Sequence, residues 1–148
     1  MQSENYMELN VPSLSQNEAF ARVVVAAFAA QLDPTMQELE DIKTAVSEAV
    51  TNAIIHGYEN AQGVVHIRAW IAQDTLYVEV ADDGVGIADI DKAREPLFTT
   101  RPEMERSGLG FTMMESFTDG VEVDSAPGKG TCVRMHKQFG QEQAHTDV

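Results

Sequence analysis

Glu48 and Asn52 stand four residues apart in the stretch Ser47-Glu48-Ala49-Val50-Thr51-Asn52-Ala53-Ile54-Ile55-His56-Gly57. At helical spacing a carboxylate and an amide so placed lie one above the other. Stepping about 100° per residue, Ile42, Val46, Ala49, Val50 and Ala53 fall on one apolar stripe, with the two polar side chains at its rim. A carboxylate at such a rim needs a hydrogen-bond partner, a cation or an aqueous cleft. The residues alone allow two readings. One is an ordinary polar pair one turn apart; the other is an oxygen ligand for a hard cation beside a general base.

Two glycine-rich stretches follow, Asp82-Asp83-Gly84-Val85-Gly86-Ile87 and Arg106-Ser107-Gly108-Leu109-Gly110-Phe111. Either glycine pair alone is a turn signal. In this order and at these separations the three stretches resemble the boxes of the ATPase/kinase superfamily that includes gyrase, histidine kinases and the DNA mismatch-repair ATPases. Over residues 7–139 the chain is most similar to the anti-sigma F family, serine kinases of endospore-forming bacteria. Ser-Glu-Ala-Val-Thr-Asn-Ala-Ile-Ile-His-Gly is the most specific part of that likeness.

ATP asks a protein for a contact to adenine, donors for its phosphate oxygens and a cation between them. Asp82 can accept a hydrogen bond from the adenine amino group, and Gly84 and Gly86 let backbone approach the base; the resemblance favours this over a plain Asp-Gly turn. Gly108 and Gly110 at a helix start offer N–H groups and a positive dipole end to an anion. Arg106, or Arg101 before it, could swing onto the terminal phosphate, Arg106 being preferred as nearer the glycines; the alternative is a plain surface arginine. Asn52 would give a neutral oxygen to Mg2+, which binds mainly through phosphates and water. The resemblance implies that Glu48 is the general base acting on a serine hydroxyl of a partner protein, and that Thr131 contributes to the nucleotide pocket. His56 reads as structural.

The elements that must position these groups follow from periodicity. Residues 6–11 read as a strand, with Ser15 or Asn17 capping the helix after it. In that helix Phe20, Val23, Val24, Ala27 and Phe28 make the expected buried stripe, leaving Glu18, Arg22, Val25 and Ala29 outside. Arg22 is then a candidate docking residue for partners, or simply a solvated charge. A second helix runs over about residues 36–56, closed by Gly57 as a left-handed cap. Residues 64–71 and 76–82 alternate as two strands around a Gln73-Asp74 turn, with Asp82 on the inner face. Residues 89–94 could form a short helix. Residues 95–107 read as a long loop, of the kind that serves as a lid. A helix over about 111–118 and alternating strands at 121–125 and 131–137 complete the chain, and 140–148 reads as a frayed tail.

The 148 residues fit one ATP-binding domain, a two-layer α/β (α+β) sandwich with a mostly antiparallel sheet and helices on one face. The resemblance implies the left-handed, Bergerat-type ATP-binding fold. Ten basic against 24 acidic residues, net −14, speak against nucleic acid as a partner. One cysteine rules out an internal disulfide and a cysteine zinc cluster. With no apolar segment near about 18 residues, the chain reads as cytoplasmic and not membrane-bound. The resemblance implies an anti-sigma factor and serine protein kinase using ATP and Mg2+, with an RNA polymerase sigma factor and a phosphorylated anti-anti-sigma factor as partners and a homodimer as its assembly. The rival readings are a histidine-kinase-like catalytic domain and an ATP-gated binding module without phosphotransfer.

Overall fold

Strands with one apolar face need a layer to bury it against, and three helices supply that layer in the computed structural model, which describes residues 5–59, 61–88, 90 and 106–140. In chain order the elements are β1 (Tyr6–Pro12), α1 (Gln16–Ala29), α2 (Met36–Asn52), β2 (Val64–Ala72), β3 (Thr75–Asp82), α3 (Arg106–Phe117), β4 (Gly120–Ser125) and β5 (Thr131–Gln138). The strands form one antiparallel sheet in the order β1-β2-β3-β5-β4. The helices pack against a single face of it. This is the two-layer α+β architecture that the alternating strands require. No helix among the described residues is long and apolar enough to cross a membrane.

The inner face is built in rows. Val78, Met135 and Val121 are cross-strand partners on β3, β5 and β4, as are Val80, Val133 and Val123, and all belong to or pack on the core. The next row on the same face is polar: Asp82, Thr131 and Ser125. On the outer face Glu8, Arg68, Glu79, Arg134 and Glu122 form a row with one residue from each strand and signs that alternate across the sheet. Arg134 pairs with Glu79 and lies 3.4 Å from Glu122; Arg68 lies 3.9 Å from both Glu8 and Glu79. In the neighbouring row Trp70 and Tyr77 stack with centroids 5.3 Å apart.

α2 buries Ile42, Val46, Ala49, Val50 and, just past its end, Ala53, the stripe its periodicity called for. Thr35 begins it with a capping box, carried by the Thr-Met-Gln-Glu string: the Thr35 hydroxyl oxygen accepts from the Glu38 amide at 3.0 Å and Glu38 Oε1 accepts from the Thr35 amide at 2.9 Å. Glu38 is fully buried and its other oxygen accepts from the Gly140 amide at 2.8 Å. One carboxylate thus closes the helix start and anchors the chain just beyond β5.

α1 departs from expectation. Ala21, Val25, Ala26 and Ala29 are its buried residues, while Phe20 is 52% and Val23 58% exposed. The face turned inward is the one with the smallest side chains, and α1 packs on α2, which also buries two alanines, Ala45 and Ala49. Neither Ser15 nor Asn17 caps the helix by its side chain; the Asn17 amide group donates instead to the Pro12 carbonyl at 2.9 Å. The expected lid and short helix fall on residues outside those described, except Ile90 and the start of α3. The tail from residue 141 lies outside them too. α3 begins at Arg106, five residues before the expected start. Gly108 and Gly110 therefore lie inside its first turns, where the cost of glycine in a helix, about 1 kcal/mol each, is offset by packing of α3 along α2 with Phe111 and Met114 buried.

Candidate functional site

Period-2 alternation puts Asp82 at the inner end of β3, and the structure leaves only 7% of it exposed. Its Oδ1 accepts from the Gly84 amide at 2.9 Å. Burial pushes its carboxyl up to about 6, against the pull of the Gly84 and Thr131 amides and with a further push from Asp83. A buried acceptor whose charge is costly is well suited to receive a hydrogen bond from a ligand donor, which would stabilise its ionised form.

Backbone closes around this carboxylate. α2 runs on into a π-helical turn, Ala53–Gly57, and Gly57 does not take the left-handed conformation of a helix cap. Its lack of a side chain has another cause: a Cβ there would stand 2.6 Å from Asp82 Oδ2. The Gly57 carbonyl accepts from the Val85 amide at 2.8 Å, and a Cβ on Gly84 would collide with that carbonyl. Gly86, with φ of 78°, lies against the Ala126 carbonyl. The Asp82–Ile87 segment is thus clamped between the end of α2 and the β4–β5 turn. Tyr58 adds a bolt, its hydroxyl accepting from the Asp83 amide at 2.8 Å and donating to the Val64 carbonyl at 2.6 Å.

The structure brings Asp82, Gly84, Gly86 and Thr131 into one cluster. Thr131 is buried and is the cross-strand partner of Asp82. Glu48 and Asn52, both half-buried, sit one turn apart on the last turns of α2, directly before the π turn that carries Gly57. Nδ2 of Asn52 is buried without a hydrogen-bond partner. An orphaned buried polar atom at the end of α2, directly before the turn that carries Gly57, fits a polar ligand, and the amide turned by 180° presents its oxygen at the same place. The backbone at Arg106, Gly108 and Gly110 opens α3 beside α2; the Arg106 side chain and all of Arg101 lie outside the described residues. Arg22 belongs elsewhere, half-buried on α1 with its Nε 3.0 Å from Glu18 Oε2. Among the described residues no group of His, Cys, Asp and Glu side chains has the arrangement of a metal site.

Three residues of the cluster escape a reading of the sequence: Gly57 as a close-approach glycine, Tyr58 and Ser125. Only Ser125 had a signal, since alternation through Val121 and Val123 sets it on the inner face. Its hydroxyl accepts from the Ile87 amide, donates to the Gly130 carbonyl and meets Thr131 Oγ1, each at 2.8 Å.

Residues 11–137 match the histidine kinase-like ATPase domain family. The chain is 62% identical over 143 residues to the anti-sigma F factor of Thermoanaerobacter sp. (strain X514), covering 97% of this chain and all of that protein. It is 56% identical over 142 residues to the anti-sigma F factor of Bacillus subtilis (strain 168), covering 95% and 97%. Among solved structures, the RsbU and RsbW domains of a Mycobacterium tuberculosis protein superpose with a TM-score of 0.64 at 17% identity, over 91% of this chain and 32% of that one, a likeness of fold.

Proposed function

Because the chain belongs to the histidine kinase-like ATPase domain family and, within it, to the anti-sigma F factors, we propose that it is a serine kinase as well as a sigma-factor antagonist. It is an anti-sigma factor with a kinase-type ATP-binding domain. On this proposal a single cytoplasmic domain, acting as a homodimer, holds an RNA polymerase sigma factor in its nucleotide-bound form. It also phosphorylates a serine of the anti-anti-sigma factor that would otherwise displace the sigma factor.

The observation that carries the nucleotide reading is the buried Asp82 carboxylate, enclosed by backbone at Gly57 and Gly84 and paired across strands with Thr131. Asp82 receives the adenine amino group, and Gly84 and Gly86, whose missing side chains let backbone close on the Gly57 and Ala126 carbonyls, hold the segment that follows it. ATP, when bound, supplies the phosphoryl group. Glu48 takes the proton of the attacking serine hydroxyl as its oxygen bonds to the terminal phosphorus, and the bond to the ADP oxygen breaks. The amides at the start of α3, Gly108 among them, and the Arg106 guanidinium offset the phosphate charge. Asn52 would hold Mg2+ through its amide oxygen.

Incubating the protein with labelled ATP and candidate anti-anti-sigma proteins tests the reading. Acid-stable phosphoserine on the partner is the expected result. Acid-labile phosphohistidine would replace it with a histidine-kinase reading, and nucleotide binding without transfer would leave an ATP-gated binding module. For the metal, Mg2+ should strengthen ATP binding to the wild type, and Asn52→Ala should lose most of that strengthening; titrating ATP with and without Mg2+ checks it, and an unaltered response removes Asn52 as a ligand.

Partner docking is assigned to Arg22 on α1. Its Nε lies 3.0 Å from Glu18 Oε2 one turn earlier, on the side of the helix that also carries buried Val25 and Ala29. Arg22→Glu should weaken binding of both sigma factor and anti-anti-sigma factor by about tenfold or more, the effect of removing a charge-assisted contact and adding a repulsive one. ATP affinity should stay unchanged in the same preparation. Unimpaired partner binding would make Arg22 a solvated charge.

A further inference from the structure

The polar row that ends the inner face contains a residue whose role is set by a count of protons. Ser125 Oγ has three neighbours at 2.8 Å: the Ile87 amide, the Gly130 carbonyl and Thr131 Oγ1. The amide can only donate and the carbonyl can only accept. A serine hydroxyl carries one proton, and here it goes to Gly130. The remaining contact closes only if Thr131 donates its own proton to Ser125. Thr131 then has no proton left for a ligand and stands as a bare acceptor on the same face as its cross-strand partner Asp82, itself an acceptor when ionised.

We propose that Ser125 fixes the polarity of the Thr131 hydroxyl, so that the base pocket presents acceptors and selects an amino-purine over a keto-purine nucleotide. The inference rests on the nucleotide reading given above and adds a specificity-determining residue to it. An adenine amino group brings donors to this pair of acceptors. The keto oxygen of hypoxanthine or guanine brings lone pairs and meets repulsion, and buried like-with-like polar contacts are the means by which sites reject a near-isostere. Ser125 is a positioning residue: it touches Thr131, Gly130 and Ile87, and acts on the base through Thr131.

Removing the Ser125 hydroxyl frees the Thr131 proton, and Thr131 can then donate as readily as accept. The test compares equilibrium binding of ATP and inosine triphosphate, which differ in the substituent at position 6 and in the proton that hypoxanthine carries on the adjacent N1, to the full chain and its variants. Ser125→Ala should narrow the preference for ATP by about three- to tenfold, the scale of one neutral hydrogen bond, and Ser125→Thr should retain it. In a Thr131→Val background, where there is no hydroxyl to orient, Ser125→Ala should leave the preference where Thr131→Val alone puts it. A Ser125 that only supports the strand would act equally in both backgrounds, and that result overturns the inference. So does an unchanged preference in Ser125→Ala. If Ser125→Ala does not fold, Ser125→Cys, close in volume and a weak donor, carries the same comparison with the same expected narrowing. A wild type that binds neither nucleotide overturns the nucleotide reading and the inference together, whereas normal ATP binding with an unmoved preference overturns the inference alone.

Discussion

Glu48→Gln is expected to slow phosphoserine formation by about 10²- to 10⁴-fold, the usual contribution of a general base, with little change in ATP affinity. The substitution keeps volume and hydrogen-bonding capacity and removes only basicity. α2 holds the position rigidly, through its capping box and its fully buried stripe, so the glutamine should occupy the same half-buried place on the helix. Sequestration of the sigma factor depends on the nucleotide-bound shape and not on turnover. The variant should therefore still retain its sigma factor, now without the means to inactivate the anti-anti-sigma factor. Phosphoserine formation, ATP affinity and sigma-factor affinity measured on one preparation decide the matter. Near-normal phosphorylation removes Glu48 as the base, and joint loss of all three activities makes it a structural residue of α2.

Asp82→Asn should lower ATP affinity by about 10²- to 10⁴-fold, because an amide that presents a donor to the adenine amino group leaves two buried donors opposed. The same substitution should not harm the nucleotide-free fold. Asparagine can still accept from the Gly84 amide, and it removes a charge that burial disfavours. The sign follows from the folded carboxyl standing at about 6 against 3.8 for an ordinary aspartate. Stability from this group is fully present below about pH 4 and is lost as pH rises through about 6. The loss is on the order of 1–3 kcal/mol. Denaturant titrations of wild type and variant from pH 4 to pH 7 should show the wild type falling relative to Asp82→Asn over that window. Unaltered ATP affinity in the variant would take Asp82 out of the base contact.

The strands were legible because each buries one face only: alternation at β2, β3 and β5 has a single solution, and it carried Asp82 and Thr131 inward with it. α2 was legible for the same reason, its polar residues leaving one apolar stripe. α1 was not. Its run of valines and alanines lets a stripe be drawn at several rotations, and the choice among them was made by how closely the backbone of α2 could approach, a property of the pair. Gly57 was misread as a left-handed cap because the atom that excludes its side chain belongs to Asp82, 25 positions later. The capping box at Thr35 is written in four consecutive residues, whereas the second oxygen of Glu38 finds its donor at Gly140, across 102 residues. Local patterns report elements; the contacts that aim the site join distant segments and leave no periodic trace.

The outer row of alternating charges bears on how the sheet finds its register. β1 is joined to β2 through two helices and not through a tight turn, so no hairpin geometry dictates which of its residues faces which. A slip by one residue would expose the apolar face, but a slip by two restores it, because side chains repeat every second position. Hydrophobicity is therefore blind to that error. The charges are not: moving β1 by two residues takes Glu8 off Arg68 and sets it opposite His66 or Trp70, while Asn10 loses its 2.7 Å contact with His66. Each exposed pair adds little to stability, yet together they separate the correct alignment from its nearest competitor, leaving the terminal strand one seat in the sheet.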